Sequence, residues 1–130
     1  MNQSGPVLDK KLYLGNLEAK RDWGYAPEYM EAAWLMLQQN KPEDFVIGTG
    51  ETHTVKEFLT MAFAHVGIKN WQHYVELDRR YYRPTEVDKL LANPAKAKKL
   101  LGWKPHIKFK ELVRIMVEAD IDELKNNPAV

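Results

Sequence analysis

Apolar residues recur at intervals of three and four along four segments of the chain, the spacing that places side chains on one face of a helix. The first segment runs from Pro27 to Gln39. Proline at its start suits the first position of a helix. Its apolar residues are Met30, Ala33, Trp34 and Leu37. We expect this stripe to face the core.

Local signals mark the ends of the other three helices. Thr54 and Glu57 form the pattern of a capping box, in which each side chain binds the other residue's backbone amide, and Gly67 predicts the end of that helix. Asn93–Pro94 predicts the cap and first position of a short helix that ends at Gly102. The last helix follows Lys104–Pro105, with apolar side chains at Phe109, Leu112, Val113, Met116 and Val117.

Three short apolar runs predict strands at Lys11–Gly15, Phe45–Ile47 and Tyr74–Leu77. Phe45–Ile47, closed by Gly48-Thr49-Gly50, has the pattern of a buried central strand. About four helices alternating with a few short strands indicate an α/β (or α+β) fold. So few strands rarely form a self-sufficient sheet, so the chain looks like part of something larger.

Composition narrows the classes of function. The chain has 130 residues, room for one domain, and its 19 basic and 18 acidic side chains leave a net charge of +1. This balance argues against nucleic acid as a partner, and no apolar run approaches the length of a membrane span. Cysteine is absent, which excludes thiol chemistry and suits a cytoplasmic protein.

Residues 1–10 carry no periodic pattern and no features of a signal peptide. We expect them to be a flexible leader or a cloning remnant, in about equal measure. Residues 11–130 then form the single domain.

Charged and aromatic residues concentrate in two loops, Lys20–Gly24 and Asp78–Asp88. Arginine offers a planar fork of donors that matches phosphate oxygens, so two arginines from separate loops could grip a diphosphate. A nearby carboxylate can accept the two hydroxyl groups of a ribose. Surface ion pairs within the loops explain the same charges, and composition alone favours that explanation.

The residues give little support to a second anion site, a metal site or a catalytic site. Gly48-Thr49-Gly50 could present amides to an anion, but a simple strand-to-helix turn explains it better. The four histidines show neither ligand spacing nor carboxylate pairing, so we predict no metal site. No tyrosine has a lysine four residues later, and Ser4 is the only serine. The sequence therefore predicts no catalytic residue.

Several long motifs together resemble one family. They are Leu14-Gly15-Asn16-Leu17-Glu18-Ala19-Lys20-Arg21-Asp22-Trp23-Gly24, Trp34-Leu35-Met36-Leu37-Gln38-Gln39, Pro42 to His53, Tyr81-Tyr82-Arg83-Pro84-Thr85-Glu86-Val87-Asp88 and Leu101-Gly102-Trp103-Lys104-Pro105. In this order they resemble the GDP-mannose 4,6-dehydratases, which are extended short-chain dehydrogenases/reductases. The resemblance covers residues 11 to about 125. It implies the substrate-side C-terminal part of that fold, with the nucleotide-binding sheet mostly missing.

The resemblance also implies a function and a set of site residues. The family binds GDP-mannose and NADP, oxidises the sugar at C4, eliminates water across C5 and C6, and returns the hydride to C6. Arg21 and Arg83 match arginines that hold the diphosphate, and Glu86 matches a carboxylate expected at the ribose. Asn16 and Lys20 lie in a loop near the nucleotide. The resemblance thus reverses the preference for surface ion pairs.

Departures from the family pattern limit what this chain is expected to do. Its glycine-rich phosphate loop, its Tyr-x-x-x-Lys pair and its proton-transferring Thr and Glu are absent. We therefore expect no cofactor to bind this chain alone, although the family uses NADP. Gly48 replaces a usual alanine, which we take as a small change.

Three hypotheses follow. The first is the substrate-binding C-terminal part of a GDP-mannose 4,6-dehydratase (a lyase), inactive alone and binding GDP or GDP-mannose weakly. The second is a stand-alone module that binds GDP-sugars or nucleotides. The third is a non-catalytic protein that self-associates, since an apolar edge without its neighbours must be covered, which predicts a homo-oligomer.

Overall fold

The computed structural model describes residues 11–127, and the leader predicted at residues 1–10 lies outside them. The helices in this range are α1 (Ala26–Leu37), α2 (Val55–His65), α3 (Ala95–Leu101) and α4 (Phe109–Asn126). The strands are β1 (Leu12–Leu14), β2 (Lys20–Arg21), β3 (His53–Thr54) and β4 (Val75–Leu77). Four helices and a few short strands confirm the predicted α/β class. None of the described helices combines the length and the apolar character that crossing a bilayer demands.

The described strands form two small sheets. β1 and β4 pair in parallel, with Leu12 opposite Val75 and Leu14 opposite Leu77. β2 and β3 pair antiparallel over two residues each. The predicted strands at Lys11–Gly15 and Tyr74–Leu77 are therefore confirmed. β2 and β3 are too short to leave an alternating pattern in the sequence.

The helix ends follow the predicted local signals. The Thr54 hydroxyl accepts from the Glu57 amide at 3.0 Å while the Glu57 carboxylate accepts from the Thr54 amide, so the capping box is confirmed. The Asn93 side chain accepts from the amide of Ala95 at 3.1 Å at the start of α3. Gly102 ends α3 in the left-handed conformation, at φ 64°, which glycine adopts without steric cost.

The prediction of a central strand at Phe45–Ile47 is wrong for the described residues. This segment has no strand partner among residues 11–127. Phe45 and Ile47 instead pack as single side chains against the buried cluster of Ala32, Ala97 and Trp103. An apolar run reports that a segment is buried, not that another strand lies beside it.

The prediction that the apolar stripe of α1 faces the core is also wrong. Met30, Trp34 and Leu37 are 65%, 60% and 82% exposed, and Ala33 is exposed as well. The face that packs inward centres on Ala32, which is fully buried. α1 is apolar nearly all round, so spacing alone could not distinguish the face that has a partner within this chain from the face that has none.

Buried side chains form two separate clusters. One consists of Ala32, Ala97 and Trp103 and joins α1 to α3. The other consists of Leu59, Trp71 and Val75 and joins α2 to β4, with Leu14, Leu17, Val55 and Phe63 packed against it. α4 packs on α2 through Phe109, Leu112 and Val113, which are 5%, 4% and 2% exposed.

Candidate functional site

A cleft of about 260 Å³ opens between the β1–β2 loop, β2 and the segment that follows β4. It is lined by Leu14, Gly15, Asn16, Leu17, Ala19, Arg21, Trp23, Val55, Tyr81, Arg83 and Glu86. Four of the five residues predicted to bind the nucleotide, all except Lys20, therefore share one surface. They come from segments more than 60 residues apart in the chain, which the fold brings together.

Arg21 holds the 81–90 segment against β2. Its Nη1 donates to the carbonyl oxygens of Lys20 and Val87, both at 2.8 Å. Its Nη2 donates to Glu86 Oε1 at 3.1 Å, an ion pair whose side chains are 28% and 19% exposed. Arg21 thus fixes where Glu86 lies in the cleft, as well as adding its own charge.

Within residues 11–127, Arg83 is the cation lining this cleft for which no ion-pair or hydrogen-bond partner is found. Among the described residues, the ion pairs formed by nearby arginines are Arg21 with Glu86 and Arg80 with Asp78. Hydrogen bonds from Arg80 lower the pKa of Asp78, so that carboxylate stays charged and satisfied. Arg83 is exposed and lines the cleft. Its five donors are therefore available to an anion.

Asn16 and Lys20 differ in their relation to the cleft. Asn16 lines it, and its Oδ1 accepts from the Glu18 amide at 3.0 Å, which fixes the side chain and leaves the NH₂ group for other acceptors. Lys20 does not line the cleft. Its backbone instead bonds to the Asp88 carbonyl at 2.8 Å and to the Leu90 amide at 3.0 Å, and so helps to align the 81–90 segment.

Close packing sets the position of the segment that carries Arg83. A Cβ atom built on Gly15 would lie 2.6 Å from the carbonyl oxygen of Tyr81. Only glycine allows the two backbones to approach this closely. The Asp78 amide also donates to the Leu14 carbonyl at 2.8 Å. Leu14 and Gly15, which line the cleft, are therefore in direct contact with the segment that carries Arg83.

The Gly48-Thr49-Gly50 turn binds an anion, but one that belongs to the chain. The Thr49 amide and hydroxyl donate to Asp22 Oδ1 at 2.8 and 2.6 Å, and the Gly50 amide donates to Oδ2 at 2.9 Å. The Ala92 amide adds a longer bond of 3.3 Å. The preference for a structural turn over an external anion site agrees with this geometry. Because Asp22 fills the turn, its amides are not available to the diphosphate of NADP.

Asp22 is the residue that sequence reasoning missed. It connects three segments, β2, the 48–50 turn and the stretch before α3, and its neighbour Trp23 donates through Nε1 to the His53 carbonyl at 3.0 Å. A carboxylate just before Trp-Gly gives no periodic signal. The one sequence feature that could have indicated its role is the Gly48-Thr49-Gly50 turn, whose amides need an acceptor such as the Asp22 carboxylate.

The histidines depart from the prediction that they lack carboxylate neighbours. His53 lies 3.6 Å from Glu57 and 3.9 Å from Glu51, and its ring stacks on Phe109 with centroids 3.9 Å apart. His65 lies 3.3 Å from Glu118, which is on a different helix. Residues 11–127 contain no group of three or more His, Asp or Glu side chains placed so that together they could hold a metal ion. These pairs link α2 to its surroundings and stand apart from the cleft.

Comparison with known proteins places this geometry in a family. Residues 3–116 match the family described as GDP-mannose 4,6 dehydratase. The chain is 56% identical over 118 residues to GDP-mannose 4,6 dehydratase 1 of Arabidopsis thaliana, covering 91% of this chain and 32% of that protein. It therefore spans about a third of the length of this curated relative.

Solved structures give the same fold. The dTDP-glucose 4,6-dehydratase of Bacillus anthracis, in complex with NAD, aligns with 89% of this chain and 36% of its own at TM-score 0.75 and 20% identity. The UDP-glucose 4-epimerase of Thermotoga maritima, with UDP-glucose, aligns with 88% of this chain and 36% of its own at TM-score 0.74 and 26% identity. The described residues thus have the fold of the C-terminal part of extended short-chain dehydrogenases/reductases.

Proposed function

This chain belongs to the GDP-mannose 4,6-dehydratase family, and we propose that it forms the part of such an enzyme that holds the nucleotide half of GDP-mannose. The observation that supports this most is the convergence of Arg21, Arg83 and Glu86 on one cleft. Two guanidinium groups and one carboxylate are the groups that a diphosphate joined to a ribose requires.

The two arginines have different roles in this proposal. Arg83 has no partner among the described residues and supplies the main grip on the diphosphate. Arg21 is partly occupied by Val87 and Glu86, so it both builds the cleft and adds a second positive charge. Glu86 accepts hydrogen bonds from the ribose hydroxyl groups, and Asn16 borders the nucleotide from the β1–β2 loop.

We expect the chain alone to bind without turning substrate over. The relative it matches carries the name of a dehydratase, but the described residues provide no Tyr-x-x-x-Lys pair, and Asp22 fills the Gly48-Thr49-Gly50 turn. Oxidation and elimination then depend on the remaining length of a full relative. The cytoplasmic location expected from the lack of cysteine likewise stays a prediction.

Self-association is a second candidate, favoured by one observation. Met30, Trp34 and Leu37 form a contiguous apolar stripe along α1 and are all more than half exposed. Apolar patches of this kind are rarely left open in a soluble monomer. We propose that a second copy of the chain, or the remainder of a relative, covers this stripe.

Calorimetric titration with GDP tests the binding proposal. We expect saturable binding in the millimolar range, because charge-assisted hydrogen bonds contribute about 1.5–3 kcal/mol each and association costs several kcal/mol. Arg83→Ala should weaken binding by about tenfold or more. Arg79→Ala is the matched control, since Arg79 lies in the same segment but does not line the cleft. No saturation at several times that concentration, or equal losses in both variants, would contradict the proposal. Micromolar binding would favour the stand-alone module.

A further inference from the structure

Two cavities lie side by side between α2 and α4, on a surface that the proposed nucleotide site does not use. Their volumes are about 580 and 610 Å³, each larger than the nucleotide cleft. Both are lined by Met61, Lys108 and Lys110, so they join into one groove, which we call the α2–α4 groove. It follows α2 from Lys56 to His65, a length of about 14 Å.

The deepest part of the groove is apolar. Met61 and Ala64 line it from α2, and Phe109 and Val113 line it from α4. Because Phe109 and Val113 are only 5% and 2% exposed, they lie at the bottom of the groove. Lysine stems along the walls add further apolar surface beneath their charged ends. The groove can therefore accept apolar side chains along its length.

More cations than carboxylates line the groove, and these carboxylates already have partners. Glu57 belongs to the capping box of α2. Glu111 accepts from Arg114, and Glu51 lies 3.4 Å from Lys108. The lining cations are Lys56, Lys108, Lys110 and Arg114, and the lining carboxylates are Glu51, Glu57 and Glu111.

The lysines of the groove are the charged groups left to a partner. Within residues 11–127, Lys110 takes part in no ion pair. Lys108 pairs with Glu51 at 3.4 Å and Lys56 pairs with Glu18 at 3.6 Å, and all four side chains are 48% exposed or more. Ion pairs as exposed as these contribute little to stability, so a ligand can replace them. The charge that the groove offers to a ligand is therefore positive.

The position of two of these lysines supports a role outside the stability of the helix. Lys108 is the N-cap residue of α4 and gives no side-chain cap, and Lys110 lies in the first turn. The N-terminal end of a helix carries partial positive charge, so cations there are unfavourable. Residues that break a local rule of stability commonly serve a function.

We propose that the α2–α4 groove binds an acidic amphipathic helix of a partner protein. The space between two packed helices accepts the side-chain ridge of a third helix. Apolar side chains spaced three and four residues apart on the incoming helix contact the apolar lining. Carboxylates beside them pair with Lys56 on the α2 wall and with Lys108 and Lys110 on the α4 wall.

The test uses the full chain and two synthetic, fluorescently labelled peptides of about 15 residues, a length that can form a helix. One peptide has leucine at every third or fourth position and glutamate at the positions beside it. The other has glutamine in place of glutamate. Fluorescence anisotropy measures both affinities. We expect the glutamate peptide to bind about fivefold more tightly, since each exposed charge contact adds only a little.

Three variants locate the binding. Lys110→Glu should remove the preference for the glutamate peptide, and it breaks none of the ion pairs described above. Ala64→Arg places a long side chain in the groove and should abolish binding of both peptides. Both positions are exposed, and circular dichroism checks that each variant stays folded. Lys99→Glu is the matched control, because Lys99 lies on α3 and lines neither cavity.

The outcomes decide between the possible occupants. Binding of the glutamate peptide that is weakened in Lys110→Glu and unchanged in Lys99→Glu supports the proposal. Equal affinities for the two peptides, no saturable binding, or equal losses in Lys110→Glu and Lys99→Glu overturn it. If Ala64→Arg lowers the mass of a wild-type oligomer in light scattering, a second copy of the chain fills the groove, which also overturns it. The proposed function is tested separately, because the groove and the cleft share no lining residue.

Discussion

The carboxylate of Asp22 fills the amide-lined turn at Thr49, accepting from its backbone N–H at 2.8 Å and from its hydroxyl at 2.6 Å. A turn of this composition elsewhere receives a phosphate from solution. Here the anion is supplied by the chain, 27 residues before the turn. The turn therefore serves to join β2 to the region before α2.

Removing this carboxylate should destabilise the fold. In Asp22→Ala the amides of Thr49 and Gly50 lose their acceptor in a partly buried place, and we expect a loss of about 2–4 kcal/mol in the free energy of unfolding. Urea denaturation measures it. Asp122→Ala, at an exposed position on α4, should change the free energy by less than about 0.5 kcal/mol. Equal effects in the two variants would contradict this role for Asp22.

Gly48 sits against Ala92 more tightly than the sequence suggested. A Cβ atom built on Gly48 would lie 2.2 Å from the Ala92 Cβ, so the replacement of the usual alanine is not the small change we expected. Gly48→Ala should cost about 1–3 kcal/mol of unfolding free energy through overpacking.

The double variant Gly48→Ala, Ala92→Gly is the control for that clash. Removing the opposing methyl group should restore part of the loss, so that the two changes are not additive. Denaturation of the two single variants and the double variant gives the coupling. Strict additivity would show that the contact between these two positions does not limit the packing.

The capping box of α2 should make the free energy of unfolding depend on pH in the acidic range. The amide of Thr54, followed by smaller contributions from its hydroxyl and from His53, holds the pKa of Glu57 below its ordinary value of 4.5. A carboxyl group with a lowered folded-state pKa contributes fully above its unfolded pKa. That contribution is lost as the pH falls through the folded value.

Glu57→Gln should therefore lose less stability than the wild-type chain between about pH 6 and about pH 3. Chemical denaturation across this range measures the difference. Glu31→Gln is the control, because it removes the same charge at an exposed position on α1, outside the capping box. Parallel curves for wild type and Glu57→Gln would count against the pKa shift.

The apolar stripe of α1 should drive association. We expect the average mass seen by light scattering to rise with concentration in the wild-type chain, and to stay near the monomer in Trp34→Glu. Leu124→Glu is the matched control, since Leu124 is 58% exposed but lies on α4, away from the stripe. A clean monomer over a wide concentration range would overturn self-association through this stripe.

Sequence reasoning succeeded where the determining interactions are local. The capping box at Thr54 and the glycine at 102 act within one helical turn, so their residues alone predict the helix ends. Sequence reasoning failed where the structure of a segment depends on which surface packs against it. The apolar run at Phe45–Ile47 and the stripe at Met30–Leu37 both indicate burial, but neither says which surface provides it.

The candidate site shows the same division. Arg83 and Glu86 could be named from the resemblance, and the fold does bring them to one cleft with Arg21. The contact of Glu86 with Arg21, and the role of Asp22, depend on segments more than 25 residues apart meeting in space. The spacing of residues along the chain cannot predict contacts between such distant segments.

The two buried clusters give the chain two centres of cooperativity. Leu14, Leu17 and Val55 pack against the Trp71 cluster and also line the cleft, whereas the exposed stripe of α1 lies on the helix that carries the Trp103 cluster. The proposed ligand of the cleft would therefore stabilise the Trp71 cluster, and the proposed protein partner of α1 would stabilise the helix that carries the Trp103 cluster.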